Sequence, residues 1–156
     1  MDNIMFCSCG RRATLLKDFR KSMNGCGKIV ATDMSPVAPA LFMADETYLV
    51  PRIDDPSYYE HVLDICEKSK VKAITTLIDP EIEILAKNRE DLLSKGILPL
   101  CPADWTARLC YDKYEMFKYL HDKGVRTILT YNSLEGFKNG LEKGEISFPV
   151  FMKPIN

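Results

Sequence analysis

Apolar residues are set along this chain in two alternating patterns, short unbroken runs and longer stretches where they return every three or four positions. The run at 4–7 predicts a strand. Ala13–Met23, with Leu15, Leu16, Phe19 and Met23 on one face, predicts an amphipathic helix closed by Asn24 and Gly25. A second strand is expected at 29–32 and ends on Asp33. Ser35 and Pro36 open a short segment at 38–43, ahead of a third strand at 48–50 that Pro51 stops. Asp55 followed by Pro56 marks a helix start, and the helix runs to about Lys68 with Tyr58, Val62, Ile65 and Cys66 on its apolar face. A fourth strand at 73–78 leads through Asp79 and Pro80 into one helix at 81–94, which Lys95 and Gly96 end, and 97–101 is a fifth strand.

Strands that are continuously apolar, alternating with helices, predict a parallel sheet covered on both faces: an α/β, Rossmann-like open sheet joined by right-handed crossovers. Ligands of such sheets gather at the carboxyl ends of the strands, which puts the loop 8–12, Asp33 and residues 79–81 on one rim. Past Cys101 the pattern changes to helices near 103–110 and 113–123, a short strand at 127–130, a helix at 134–143 and an apolar terminal strand at 148–154 carrying Lys153. The expected division is a domain at 1–111 and a short α+β piece at 112–156.

With 156 residues the chain has room for one domain, or for one domain and part of a second. A formal net charge of −1 argues against a nucleic-acid or membrane-surface partner and for small-molecule chemistry. The apolar runs are strand-sized, and residues 1–6 lack the basic region and long apolar core of a signal peptide, so the expected compartment is the cytoplasm. The six cysteines include no Cys-x-x-Cys pair and give no metal motif; as a class they fit reduced, buried hydrophobes. Cys9 alone stands beside Gly10 and two arginines, a setting that can lower a thiol pKa. His61 and His121 fall inside helical patterns with no partner suggested by spacing.

Candidate chemistry concentrates in two regions. In the turn Cys7-Ser8-Cys9-Gly10-Arg11-Arg12, backbone N–H groups at a helix start and two guanidinium groups can hold an anion, although a tight turn with solvated arginines fits the same residues. Asp33 can accept hydrogen bonds from a ligand or serve its own turn, and Glu81 at a helix start can face the rim or simply suit the helix dipole. Further along, Asp112 can cap a helix whose first turn holds Lys113, a poor place for a cation unless an anion comes there. Lys153 is expected on a strand of the form apolar-Pro-Val-apolar-apolar-Lys-Pro.

These two lysine sites resemble the start of an ATP-grasp domain. The turn 8–12 resembles the Ser-Ala-Gly-Arg-Arg loop of carbamoyl-phosphate-synthase-like members, with Cys9 in place of the alanine. The likeness continues through Asp33-Met34-Ser35-Pro36-Val37-Ala38-Pro39-Ala40-Leu41, through Ala44-Asp45 and Tyr48-Leu49-Val50-Pro51-Arg52, and through Ile78-Asp79-Pro80-Glu81-Ile82-Glu83-Ile84-Leu85-Ala86. The resemblance implies a pre-ATP-grasp domain at 1–111 followed by the opening of an ATP-grasp domain at 112–156, in an ATP-dependent carboxylate–amine ligase that works through an acyl-phosphate. It also implies that Lys113 and Lys153 bind ATP phosphates, and that Ser8, Gly10, Arg11, Arg12, Asp33, Asp79 and Glu81 bind substrate or an anion. ATP and Mg²⁺ are the implied cofactors, the magnesium carboxylates being expected beyond this chain, which alone is expected to be inactive. The implied partners are a small carboxylate and an amine, with a homodimer through the terminal segment as a further expectation.

Two rivals belong to other classes. Asp33 at the end of the second strand also suits the ribose-binding acid of a dinucleotide-binding oxidoreductase, but Gly10 is the only glycine in the first βα turn, and Gly25-x-Gly27 precedes a strand. A non-catalytic, receiver-like interaction module would account for the acidic rim and leave Lys153 unexplained.

Overall fold

The computed structural model describes residues 2–155. They divide into two compact units, Met1–Asp104 and Trp105–Asn156. In the first, the order is β1 (Asn3–Cys7), α1 (Ala13–Met23), β2 (Ile29–Asp33), a 3₁₀ turn (Pro39–Met43), β3 (Glu46–Leu49), α2 (Tyr58–Lys68), β4 (Val71–Thr76), α3 (Asp79–Lys87), α4 (Arg89–Ser94) and β5 (Leu98–Pro99). The five strands are all parallel and lie in the order β3-β2-β1-β4-β5. This is the α/β open sheet that the alternating pattern predicts.

Two apolar layers hold the sheet, one on each face. Side chains alternate across a strand, so Met5 and Cys7 of β1 enter one layer while Phe6 between them enters the other. The first layer is Val30, Ile74 and neighbours against Tyr58, Val62, Ile65 and Cys66 of α2, Leu85 of α3 and Leu92 of α4. The second gathers Phe6, Ile29 and Ala31 against Leu16 of α1 and against Ala40 and Leu41 of the 3₁₀ turn. Phe19 of α1 adds an edge-on ring contact with Phe6, centroids 4.8 Å apart. Burial of both faces explains why these strands read as unbroken apolar runs.

The expected single helix at 81–94 is instead two, α3 and α4, meeting at Asn88. The Asn88 side-chain amide donates to the Ile84 carbonyl at 2.8 Å, a local bond that competes with the helical ladder. The fifth strand is shorter than the expected 97–101: its ladder to β4 covers Leu98 and Pro99, and a last bond from Leu100 N–H to Ile74 O at 2.8 Å closes it.

The second unit contains α5 (its first residue, Asp104, belonging to the first unit, through Tyr111), α6 (Lys113–Asp122) and α7 (Leu134–Glu142). Asp112 caps α6 as expected, its Oδ1 accepting from the N–H groups of Tyr114 and Glu115, both at 2.9 Å. Ser133 does the same for α7 through Gly136 N–H. The strands expected at 127–130 and 148–154 are not formed; among the described residues this unit has no strand. A strand needs a neighbour for its N–H and C=O groups, and here those segments face water, with Ile128 88% and Met152 98% exposed. Lys153 therefore lies on irregular, exposed backbone rather than on a strand.

Candidate functional site

The strand order changes direction beside β1, with β2 on one side and β4 on the other, and open sheets of this kind take ligands outside the strands' carboxyl ends at such a switch point. The loop 8–12 leaves β1 at this point. Ser8 has φ 46° and Gly10 φ 51°, both left-handed, so the chain turns sharply before α1. Its backbone is tied down from β2: Cys9 N–H donates to Thr32 O at 3.1 Å and Gly10 N–H to Asp33 Oδ2 at 2.8 Å. Ala40 N–H of the 3₁₀ turn donates to Gly10 O at 3.0 Å. Arg11 and Arg12 stand exposed on this fixed frame.

Asp33 is nearly buried, and its second oxygen, Oδ1, accepts from Ser35 N–H at 2.9 Å. Each carboxylate oxygen is thus engaged by main chain, one from the β1 loop and one from its own turn. Asp33 clasps the rim together. Cys9 is fully buried, and burial, with the Asp33 charge adding to it, pushes its thiol up to about 11. The arginine-activated thiolate that the sequence allowed is therefore not present at neutral pH.

Glu81 departs most from the sequence reading. The residue expected to face the rim has no solvent exposure; it points inward from the first turn of α3. The Tyr58 hydroxyl donates to its Oε1 and the Thr76 hydroxyl to its Oε2. Burial pushes its carboxyl up to about 7, with the Ser8 hydroxyl favouring the ionised form and the Asp33 charge opposing it. Cys7 beside it is held well above the ordinary thiol value, by burial first and by Glu81 second. The structure thus brings Ser8, Gly10, Asp33 and Glu81 together at the carboxyl ends of β1, β2 and β4. Asp79 lies exposed at the start of α3. Tyr58 and Thr76 were missed: the sequence placed Tyr58 on an apolar helix face, where its hydroxyl, which needs a partner once buried, was the available signal.

In the second unit Lys113 is exposed, and its backbone N–H and its Nζ both donate to Ile155 O, at 3.1 and 3.2 Å. The terminal segment that holds Lys153 therefore meets the start of α6 through Ile155. Among the described residues no group of three or more His, Cys, Asp or Glu could hold a metal ion.

Residues 4–100, the whole of the sheet unit but its ends, match the family described as PylC-like, N-terminal domain. The chain belongs to that family. A comparison with curated proteins found no match. Solved structures share the fold of this PylC-like chain at low identity. An L-amino acid ligase from Bacillus licheniformis is 20% identical with a TM-score of 0.67, covering 100% of this chain and 36% of its own. An N5-carboxyaminoimidazole synthetase from Staphylococcus aureus, solved with ADP, is 16% identical with a TM-score of 0.64, covering 91% and 36%. The biotin carboxylase domain of a single-chain bacterial carboxylase is 16% identical with a TM-score of 0.61, covering 93% and 34%. The PylC-like chain thus spans about a third of the length of these ligases and carboxylases. No helix among its described residues is long and apolar enough to cross a membrane.

Proposed function

We propose that this chain is the N-terminal part of an ATP-dependent carboxylate–amine ligase of the ATP-grasp superfamily, with carbamoyl-phosphate-synthase-like chemistry through an acyl-phosphate. The observation that carries the reading is the loop 8–12, clamped by Asp33 at the β1/β4 switch point of a PylC-like N-terminal domain and presenting Arg11 and Arg12 outward. Fold kinship with an amino acid ligase and with carboxylases supports the same reaction class. In this reading Ser8, Arg11 and Arg12 receive an anionic group of the substrate, while Gly10, whose N–H is already given to Asp33, shapes the loop rather than binding, and Asp79 borders it.

The reaction has two steps. A carboxylate oxygen attacks the γ-phosphorus of ATP and ADP leaves; an amine nitrogen then attacks the acyl carbon, and phosphate leaves with an oxygen that began in the carboxylate. Lys113 and Lys153, both exposed, would neutralise phosphate charge in the first step, Lys113 exchanging its bond to Ile155 O for one to a phosphate oxygen. Mg²⁺, when bound, would add further neutralisation of phosphate charge. The described residues provide no cluster to hold that ion.

The test uses the complete gene product with ATP, Mg²⁺ and a panel of ¹⁸O-labelled carboxylates and amines. ADP with ¹⁸O-labelled phosphate is the expected outcome. AMP with pyrophosphate would mean acyl-adenylate chemistry, and turnover of a nicotinamide cofactor would return the chain to the dinucleotide-binding reading.

A further inference from the structure

Glu81 stands out among the buried polar groups because nothing in the proposed chemistry uses it. It lies buried at the carboxyl ends of β1 and β4, and every element around it contributes a group: Cys7 from β1, Ser8 from the loop after β1, Asp33 from β2, Tyr58 from α2 and Thr76 from β4. None of these is a cation, and no ion pair of Glu81 occurs among the described residues. Two hydroxyls already engage its two oxygens, and the side chain has no exposed surface for a ligand to touch.

We infer that Glu81 is a positioning residue whose proton accompanies an anion onto the loop 8–12, the neutral carboxyl leaving the loop receptive and the ionised carboxyl opposing the anion from beneath. This rests on the reading of that loop as an anion site. Two observations make the coupling physical. Ser8 follows Cys7, which pairs with Thr76 of β4, and the Thr76 hydroxyl donates to Glu81, so a change of charge on the carboxyl is felt across that strand pair at the base of the loop. Asp33, which holds Gly10 N–H, adds a second negative charge to the same buried cluster, and a third charge arriving as the anion is best accommodated when Glu81 takes a proton from solvent. The carboxyl changes charge near pH 7, within the working range of a cell. Linkage is reciprocal: an anion on the loop raises the proton affinity of Glu81 by the same factor that the proton raises anion affinity.

The experiment uses sulfate, which keeps one charge across the range, titrated into the chain at pH 6 and pH 8.5 while the amide signals of Ser8, Gly10 and Arg11 are followed by NMR. Wild type is expected to bind sulfate about 5-fold or more tightly at the lower pH, the size of a modest coupling. Glu81→Gln, neutral at both values, should bind equally at each and match wild type at pH 6. Tyr58→Phe removes a donor that favours the ionised carboxyl, so its affinity should begin to fall at a higher pH than in wild type. Equal sulfate affinity of wild type at both values, or a pH dependence that persists in Glu81→Gln, would overturn the coupling alone. Absence of any sulfate shift in the loop at either pH would overturn the anion site and the coupling with it.

Discussion

The buried carboxyl of Glu81 should leave a signature in stability. Burial moves it from an ordinary 4.5 to about 7, so the folded chain holds a proton that the unfolded chain has released over the interval between. Below pH 4.5 both states are protonated and the contribution of the neutral acid is complete. As pH rises the unfolded state ionises freely while the folded state cannot, and the unfolding free energy falls by up to ~1.4 kcal/mol per pH unit until the folded carboxyl ionises too. The full span is about 3 kcal/mol, of which roughly 2 kcal/mol is lost between pH 5 and pH 8. Other perturbed groups do not blur this window. Glu46, Asp54, Asp55 and Asp91 are held below the ordinary carboxylate values by Lys28, Arg52, Ser57 and Lys95 respectively, so their contributions are already in place at pH 5. The buried thiols Cys7, Cys9 and Cys66 are pushed above the ordinary value of 9 and stay neutral throughout. The assay is urea denaturation of wild type and Glu81→Gln at half-unit steps from pH 5 to pH 8. Circular dichroism should follow it, because the single tryptophan, Trp105, lies in the other unit. Wild type should lose stability steadily and the Gln variant should not, the two curves crossing as pH rises. A flat wild-type curve, or parallel slopes in both proteins, would refute the reasoning.

Three further outcomes are expected. Gly27→Ala places a methyl 2.3 Å from the Asp2 carbonyl oxygen, which is backbone and cannot swing aside, so it should cost about 1–3 kcal/mol in a denaturation series, and an unchanged midpoint would show that the N-terminus yields freely. Arg11→Ala with Arg12→Ala should leave stability within about 0.5 kcal/mol while abolishing the sulfate shift at Gly10; a matching loss of fold would make the pair structural. Phe148, Phe151 and Met152 are 71%, 92% and 98% exposed, and such a patch should drive concentration-dependent association in light scattering, which Phe151→Asp with Met152→Asp should suppress; identical masses for both proteins at all concentrations would refute it.

The order of elements in the first unit was legible because each rests on local chemistry. Unbroken apolar runs mark strands buried on both faces, and apolar spacing of three and four marks α1 and α2; in the second unit Asp112 likewise caps its helix through bonds to residues two and three positions away. The positions of Ser8, Asp33 and Glu81 at strand ends followed from the same order. What each of them does there was decided by tertiary structure. The order β3-β2-β1-β4-β5 sets β1 against β4, and only that neighbourhood lets Ser8 face Glu81 and brings Tyr58 from α2 onto the same carboxyl. The sequence left Asp33 as either a ligand acceptor or a turn residue, and the fold decides for the second, with Gly10 and Ser35 N–H groups on its two oxygens. The segments at 127–130 and 148–154 have strand composition and yet remain irregular. Composition states a preference of each residue on its own, whereas burial, a shifted pKa and a paired strand belong to contacts between residues far apart in the chain, and those exist only once the chain has folded.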